Sequence, residues 1–379
     1  MRYRQVEIGS VVTLRQGFAI NKNTKHHMSE EPTNLPLLRI ADMKDGSQNV
    51  FVKDTIPPHF IAKSEDIIYT RTGQVGLVFT KQFGVIHNNC FTVTPNDEGV
   101  LSRKYLYYAL NSEDFYTEAN NLASGAAQPD LPHGAFNSIS IYLPPIDTQK
   151  RIASILSAYD DLIENNQKQI KLLEEAAQRL YKEWFVDFHF PGYENTPIID
   201  GVPQGWEKSH LSKIARLSAG GDKPDVFSKM KSSVCNIPVY SNGVTDDGLY
   251  GYTDSATVND DCITISARGN VGYTCLRRTP FLPIVRLITV IPKRECVEYL
   301  YFYLKDMTFK SNGAAQQQIT VPMIKDEEIV LPCNKLLLAF KEKVAPIFDL
   351  VDRLKMKITI CEEARDRLLP KLMSGELEV

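Results

Sequence analysis

Glu174-Glu175-Ala176-Ala177-Gln178-Arg179-Leu180 returns as Glu362-Glu363-Ala364-Arg365-Asp366-Arg367-Leu368, 188 residues later. The same offset carries Leu143-Pro144 to Leu331-Pro332, and Ser124-Gly125-Ala126-Ala127-Gln128 to Asn312-Gly313-Ala314-Ala315-Gln316, with no gap between 124 and 180. Upstream the offset drifts, as loops of unequal length require. Gly73-Gln74-Val75-Gly76 matches Gly269-Asn270-Val271-Gly272 at 196, and Tyr3…Ile8…Val11…Leu14…Gly17 matches Trp206…Leu211…Ile214…Leu217…Gly220 at 203. A period near 190 is far too long for a solenoid repeat. It predicts two whole domains, each followed by the same kind of helix. Such a fused pseudo-dimer should have a target and partners that also come in two halves.

The helices carry the clearest periodicity. Stepping by four and three from Ile152 gives Leu156, Tyr159, Ile163, Asn166, Ile170, Leu173, Ala177, Leu180 and Trp184. Adding 188 gives Phe340, Val344, Ile347, Val351, Leu354, Ile358, Cys361, Arg365, Leu368 and Leu372. A 3.5-residue period held this long is a coiled-coil seam, and each copy is the other's most obvious partner. Ile152 through Trp184 would make a rod of about 50 Å. Asn166, opposite Leu354 in the repeat, would favour one register at some cost in stability. Pro346 removes a backbone donor early in the second stretch and is expected to break it, with the long helix starting there or just after.

The predicted organisation is α+β. A first segment spans 1–145, a long helix 146–190, a linker 191–205, a second segment 206–333 and a C-terminal helix 334–379. Both segments contain short β-like runs, including Asp66–Thr70, Cys262–Ile265 and Leu287–Ile291. Each also has one amphipathic helical stretch, Arg103–Asn111 and Val297–Lys305. The chain of 379 residues is 43% hydrophobic and 23% charged, the composition of a globular protein. It lacks a transmembrane run and an apolar leader, and its seven cysteines include no C-x-x-C pair. These features predict reduced thiols, no metal site and a cytoplasmic location. The net charge is −3, with 13 basic and 14 acidic residues in 1–145 and 15 and 16 in 191–333. A chain of this balance could bind a polyanion only with its positive charge gathered on one face or supplied by a partner.

Chemistry is largely absent from the pattern. No phosphate-cradling G-x-x-x-x-G-K-[ST] occurs, and no dinucleotide-binding G-x-G-x-x-G. Ile56-Pro57-Pro58-His59-Phe60 lacks the Asn or Asp that a base-flipping amino-methyltransferase loop would use. No catalytic residue is expected in this chain.

Several runs resemble the specificity subunit of type I restriction-modification systems. They are Gly125-Ala126-Ala127-Gln128-Pro129, Ile141-Tyr142-Leu143-Pro144-Pro145 with Gln149-Lys150-Arg151-Ile152, Asp160 to Asn166, Leu180 to Phe188, and Val202-Pro203-Gln204-Gly205-Trp206. The resemblance covers essentially the whole chain. It implies two similar target recognition domains separated by two long antiparallel coiled-coil helices. It also implies a non-catalytic subunit that reads a bipartite, asymmetric sequence in double-stranded DNA. The helices would serve as spacer and would dock two methyltransferase subunits, with restriction-translocase subunits completing the complex. S-adenosylmethionine, ATP and Mg would belong to those partners, with no cofactor in this chain. The second copy departs from the pattern: Leu331-Pro332-Cys333-Asn334-Lys335 lacks the second Pro, and no Gln stands where Gln149 does. The alternatives are a stand-alone DNA-modifying enzyme with unrecognised motifs and a coiled-coil scaffold that binds no DNA.

Loops that place Gly beside basic or amide side chains are the candidate readers, since Gly admits close backbone approach and these side chains match base edges. In the first domain these are Lys22, Lys25, Arg71, Thr72, Gln74 and Gln128. In the second they are Lys223, Lys229, Lys231, Arg268, Asn270, Gln316 and Gln317. Arg71 and Arg268 are the sharpest candidates. Both copies keep Gly-Ala-Ala-Gln although their targets should differ, so that segment should shape the domain or touch backbone. The apolar side chains Leu172 and Phe185 are expected on the outer helix faces, awaiting partners.

Overall fold

The structure is a computed structural model describing residues 3–125, 127–294, 296–309 and 318–379. It divides into two compact units, Met1–Asn166 with Met356–Val379, and Gln167–Lys355. Both boundaries fall inside long helices, Ile146–Tyr181 of 36 residues and Asn334–Ser374 of 41.

The first unit is built on an antiparallel sheet in the order Val12–Gln16, Cys90–Pro95, Ile67–Thr70, Val78–Phe79. Both faces of its central strands are covered, and the polar residues buried there, Thr70 and Thr92, are β-branched. With the two-residue period of a strand, Ile67, Tyr69, Phe91 and Val93 face the main core, while Ile68 and Cys90 face a smaller one with Leu38 and Ile86. The second unit repeats this arrangement with Ala215–Ala219, Ile288–Pro292, Cys262–Ile265 and Thr274–Arg277. There Ile263, Ile265, Ile288 and Val290 face the main core, and Cys262 and Ile291 the smaller one. Between the sheet strands each unit adds a parallel pair, Leu37–Leu38 with Gly84–Ile86 and Ile237–Tyr240 with Leu282–Pro283.

Each recognition segment is closed by pairing its two ends. Arg4–Glu7 pairs with Ser140–Leu143, and Glu207–His210 with Glu328–Leu331. A long helix begins directly after each pair. Gln149 is fully buried at the first junction. Its amide donates to the carbonyls of Val100 (2.9 Å) and Pro144 (2.8 Å) and accepts from the Ser102 N–H (2.9 Å). The equivalent position in the second copy is Leu337, which packs into the apolar core instead. One junction is pinned by hydrogen bonds and the other by hydrophobic contact.

Within each unit the two long helices pack antiparallel. In the first, Asp160 pairs with Arg365 at 2.8 Å, and Ile152, Ala153 and Leu156 share a core with Leu372 and Met373. In the second, Ala177, Tyr181 and Trp184 share a core with Phe340, Val344 and Phe348. Along the seam, Ile152, Leu156, Ile163, Asn166, Val344, Val351 and Leu354 are buried, while Tyr159, Ile170, Leu173, Leu180, Ile347, Ile358 and Leu368 are partly so. Arg365, the polar exception, is matched by Asp160, whose other oxygen accepts from the Tyr108 hydroxyl at 2.5 Å.

Three expectations are corrected. Pro346 does not break the second helix, which runs unbroken from Asn334 to Ser374. Pro346 and Glu342, whose carbonyl loses its partner, both face solvent, and Val344 and Phe348 on either side hold the helix to the core. Phe185 points inward, only 6% exposed, because the first helix passes at Lys182–Val186 into a π-helical turn that rotates the following side chains. The first unit also holds more helix than the single stretch read as Arg103–Asn111. That helix is Arg103–Leu110, and a second, Glu113–Leu122, follows it, started by the Ser112 hydroxyl accepting from the Phe115 N–H.

Candidate nucleic-acid interface

In both units the antiparallel pairing collects particular loops at one end of the sheet. Gln16, Cys90 and Thr70 end or begin neighbouring strands, so the loops after Gln16 and Thr70 and the loop before Cys90 meet. Backbone hydrogen bonds join them: Gly17 N–H to Cys90 O (3.1 Å), Phe18 N–H to Ile86 O (2.6 Å) and Arg71 N–H to Asn89 O (2.8 Å). The segment around Asp130 closes the set, with Gly73 N–H donating to Pro129 O (2.8 Å) and Leu131 N–H to Arg71 O (2.9 Å). In the second unit Ala219, Ile288, Ile265 and Thr274 mark the same end. The bonds recur there as Gly220 N–H to Leu287 O (2.9 Å) and Ile319 N–H to Ala267 O (3.1 Å).

The side chains on this shared frame differ. In the first unit Arg71 forms a two-pronged pair with Asp130, Nε to Oδ1 at 3.1 Å and Nη2 to Oδ2 at 2.6 Å. Its Nη1 donates to Gln16 Oε1 at 3.3 Å, and the Thr72 hydroxyl donates to Asp130 Oδ1 at 2.5 Å. Arg71, then the Thr72 hydroxyl, hold the Asp130 carboxyl below its ordinary value against the opposing effect of burial. Lowered in the fold, this group stabilises at pH above its unfolded value near 4, and the contribution disappears as pH falls through the folded value. The difference in melting temperature between the wild-type chain and Asp130→Asn is therefore expected to narrow below about pH 4. A gap unchanged from pH 7 to pH 3 would exclude the ion pair as its source.

The isolated bridges Thr72↔Asp130 and Arg268↔Gln318 occupy the same place in the two frames. Arg71 thus corresponds to Ala267, Thr72 to Arg268 and Asp130 to Gln318. Arg268 and Asn270 are exposed at the tip of their loop. Asn242 props this loop from beneath, accepting from the Ala267 N–H at 2.7 Å and donating to Val285 O at 2.7 Å. Beside it, Val285 and Arg286 both adopt left-handed backbone, with φ of 53° and 62°. For a β-branched Val this conformation is strained. It presents Arg286, exposed, at the sheet end.

Of the sequence-derived candidates, the structure gathers Arg71, Thr72, Gln74 and Gln128 at the first sheet end. Gln74 accepts from Lys44 Nζ at 3.0 Å, and Gln128 is exposed. Lys22 and Lys25 are exposed on the segment leaving that end through Phe18. Lys223 follows Gly220-Gly221 in the second unit and lies over the Phe227 ring at 3.9 Å. Lys229 lies over the Tyr250 ring at 3.7 Å, and Lys231 is exposed nearby in sequence. Gln316 and Gln317 lie outside the described residues. Gln16, Asp130, Asn242 and Arg286 were not singled out by the sequence. A hint existed for Asp130 alone, since it closes the Gly125–Pro129 segment. No group of His, Cys, Asp and Glu among the described residues could hold a metal ion, and no helix among them is long and apolar enough to cross a membrane. Burial pushes the Cys90 and Cys262 thiols up to about 12.

Comparisons with known proteins agree on one family. The type I restriction modification DNA specificity domain matches residues 2–175 and again residues 203–360. The chain is 27% identical over 361 residues to the type I restriction enzyme MjaIX specificity subunit of Methanocaldococcus jannaschii, covering 89% of this chain and 81% of that one. It is 22% identical over 370 residues to the MjaVIII specificity subunit of the same organism, covering 91% and 86%. Its fold is similar to the crystal structure of a type I restriction-modification S subunit from M. genitalium, with a TM-score of 0.62 at 16% identity over 98% of this chain and 96% of that one. With two matched domains filling most of its length, the chain belongs to the type I restriction-modification DNA specificity family.

Proposed function

We propose that each unit reads one half of a bipartite, asymmetric site in double-stranded DNA through the loops at its sheet end. The observation that carries this reading is the shared frame with unlike side chains. Where the first unit sets Arg71, Thr72 and Asp130, the second sets Ala267, Arg268 and Gln318. Equal backbones with different donors and acceptors suit two heads that read different bases. Lys22, Lys25, Gln74, Gln128, Lys223, Lys229, Lys231, Asn270, Gln316 and Gln317 are proposed as supporting phosphate or base contacts.

The chain itself supplies no chemistry in this reading. Methyltransferase and restriction subunits bring S-adenosylmethionine, ATP and Mg, and the complex works on DNA in the cytoplasm. The long helices set the spacing between half-sites and dock the methyltransferase subunits. Exposed apolar side chains on them fit that role: Leu162, Met356 and Ile360 in the first unit, Leu172, Leu338 and Leu350 in the second. Asn166, buried in the seam, is proposed to fix register.

Two measurements test the reading. Purified alone, the chain should transfer no methyl group from labelled S-adenosylmethionine to DNA; transfer would make it an enzyme. With its methyltransferase subunits, Arg268→Ala should lose about 1–3 kcal/mol of discrimination at one base position in one half-site, leaving the other half-site untouched. Equal weakening on every sequence, with a salt dependence shallower by about one unit, would assign Arg268 to a phosphate instead.

A further inference from the structure

We propose that Asp130 is a positioning residue that orients Arg71 for bidentate reading of a guanine, so that first-half specificity belongs to the pair rather than to the arginine alone. This rests on the reading above, in which the first unit's sheet end meets DNA. A free arginine on a DNA-facing loop pairs with any phosphate. One whose guanidinium plane is already fixed can present a chosen edge. Of the five N–H groups of a guanidinium, Asp130 takes one on Nε and one on Nη2, and Gln16 takes one on Nη1. One N–H remains on each terminal nitrogen, which is what a guanine O6/N7 edge requires.

The partners are themselves held. Asp130 Oδ1 also accepts from the Thr72 hydroxyl at 2.5 Å. The Asp130 backbone exchanges both hydrogen bonds with Ser124, at 2.8 and 2.9 Å. Gln16 donates its amide N–H to Asn88 O at 2.6 Å, which leaves its oxygen for Arg71. The arginine side chain is 21% exposed and its partner 36%, so the pair lies at the surface of the sheet end and not in the core.

The second unit separates this role from a structural one. It keeps the same backbone bridge and the same Ile319-to-Ala267 hydrogen bond with neither member of the pair. The frame therefore folds without the pair. Ala267 and Gln318 replace Arg71 and Asp130 together, as a reading device would be exchanged.

The test enriches a randomised duplex library with the full chain and its methyltransferase subunits, comparing wild type, Arg71→Ala, Asp130→Asn, the double variant and Arg71→Lys. Arg71→Ala and Asp130→Asn should each relax the same guanine position about tenfold or more, with the double variant no worse than Arg71→Ala. Arg71→Lys keeps the charge but not the fork and should relax that position as fully, which covers the case of an unfolded Asp130→Asn. Two results overturn the proposal: Asp130→Asn leaving that position intact, or Asp130→Asn raising affinity for all duplexes with steeper salt dependence. The latter would mean that Asp130 only restrains Arg71 from phosphate. A wild-type chain that enriches no motif sinks the underlying reading as well. A clear bipartite motif unchanged by Arg71→Ala sinks this inference alone.

Discussion

Gly17→Ala should destabilise the first unit by about 3 kcal/mol or more, combining overpacking with the loss of two hydrogen bonds worth about 1 kcal/mol each. A Cβ at Gly17 would stand 2.2 Å from the carbonyl oxygen of His87, 2.6 Å from its carbon and 2.8 Å from the oxygen of Ile86. All three are backbone atoms, so no side chain can swing aside. The strand end must peel from its neighbour, weakening the bonds from Gly17 N–H to Cys90 O and Phe18 N–H to Ile86 O. Those bonds seat the loop that leads to Lys22 and Lys25, so first-half DNA recognition should fail with them. Gly220 is the twin position, where a Cβ would meet Pro283 carbonyl atoms at 2.7 Å. Its clash is milder, and Gly220→Ala should cost less. Thermal melting of the full-length variants checks both. A Gly17→Ala protein melting within a degree of wild type, or a Gly220→Ala protein less stable than it, would refute the close-approach argument.

The match between those two glycines shows what was legible without coordinates. The duplication and the seam through Ile152, Leu156, Val344 and Leu354 are local patterns, and local periodicity survives into the fold because one side of each helix must be buried. The run Cys262–Ile265 was equally plain, since three of its four residues are apolar and the fourth, Thr264, has the β-branched shape that suits a strand. The site was less legible. Arg71 could be picked for its type and neighbours, but its partner Asp130 lies 59 residues away, brought close only by pairing of the sheet-end loops. Arg286 owes its presentation to a left-handed Val285-Arg286 turn that no residue preference announces. Ser112, followed by Glu113 and Asp114, is a helix-start signal in the sequence itself, and the helix Glu113–Leu122 follows it. Pro346 and Phe185 failed for opposite reasons. Solvent tolerated an orphaned carbonyl in the first case. In the second, one π-helical turn changed the phase on which an outward placement depended.

Phe340→Ala is expected to cost the second unit about 3–5 kcal/mol, the usual range for emptying a fully buried aromatic site. Phe340 has no exposed surface and stands at the point where helix and recognition segment share one core. Its ring centroid lies 4.9 Å from Phe185, 5.9 Å from Trp184, 6.2 Å from Phe302 and 6.5 Å from Tyr181. Tyr181, Trp184 and Phe185 come from the end of the first long helix, Phe302 from the recognition segment and Phe340 from the second helix. No single neighbour can collapse into the void without leaving another contact, so the cavity should persist and the penalty should sit at the upper end. Phe340→Leu, which keeps most of the volume, should lose less than half as much. Because the helices are joined to the recognition segment by this cluster, the alanine variant should also loosen second-half DNA recognition, while sequence preference in the first half persists. Urea denaturation of the two variants, followed by Trp184 and Trp206 fluorescence within the same unit, gives the comparison. A loss below about 1 kcal/mol for Phe340→Ala would mean that the helix is held by its polar seam contacts and not by this aromatic core.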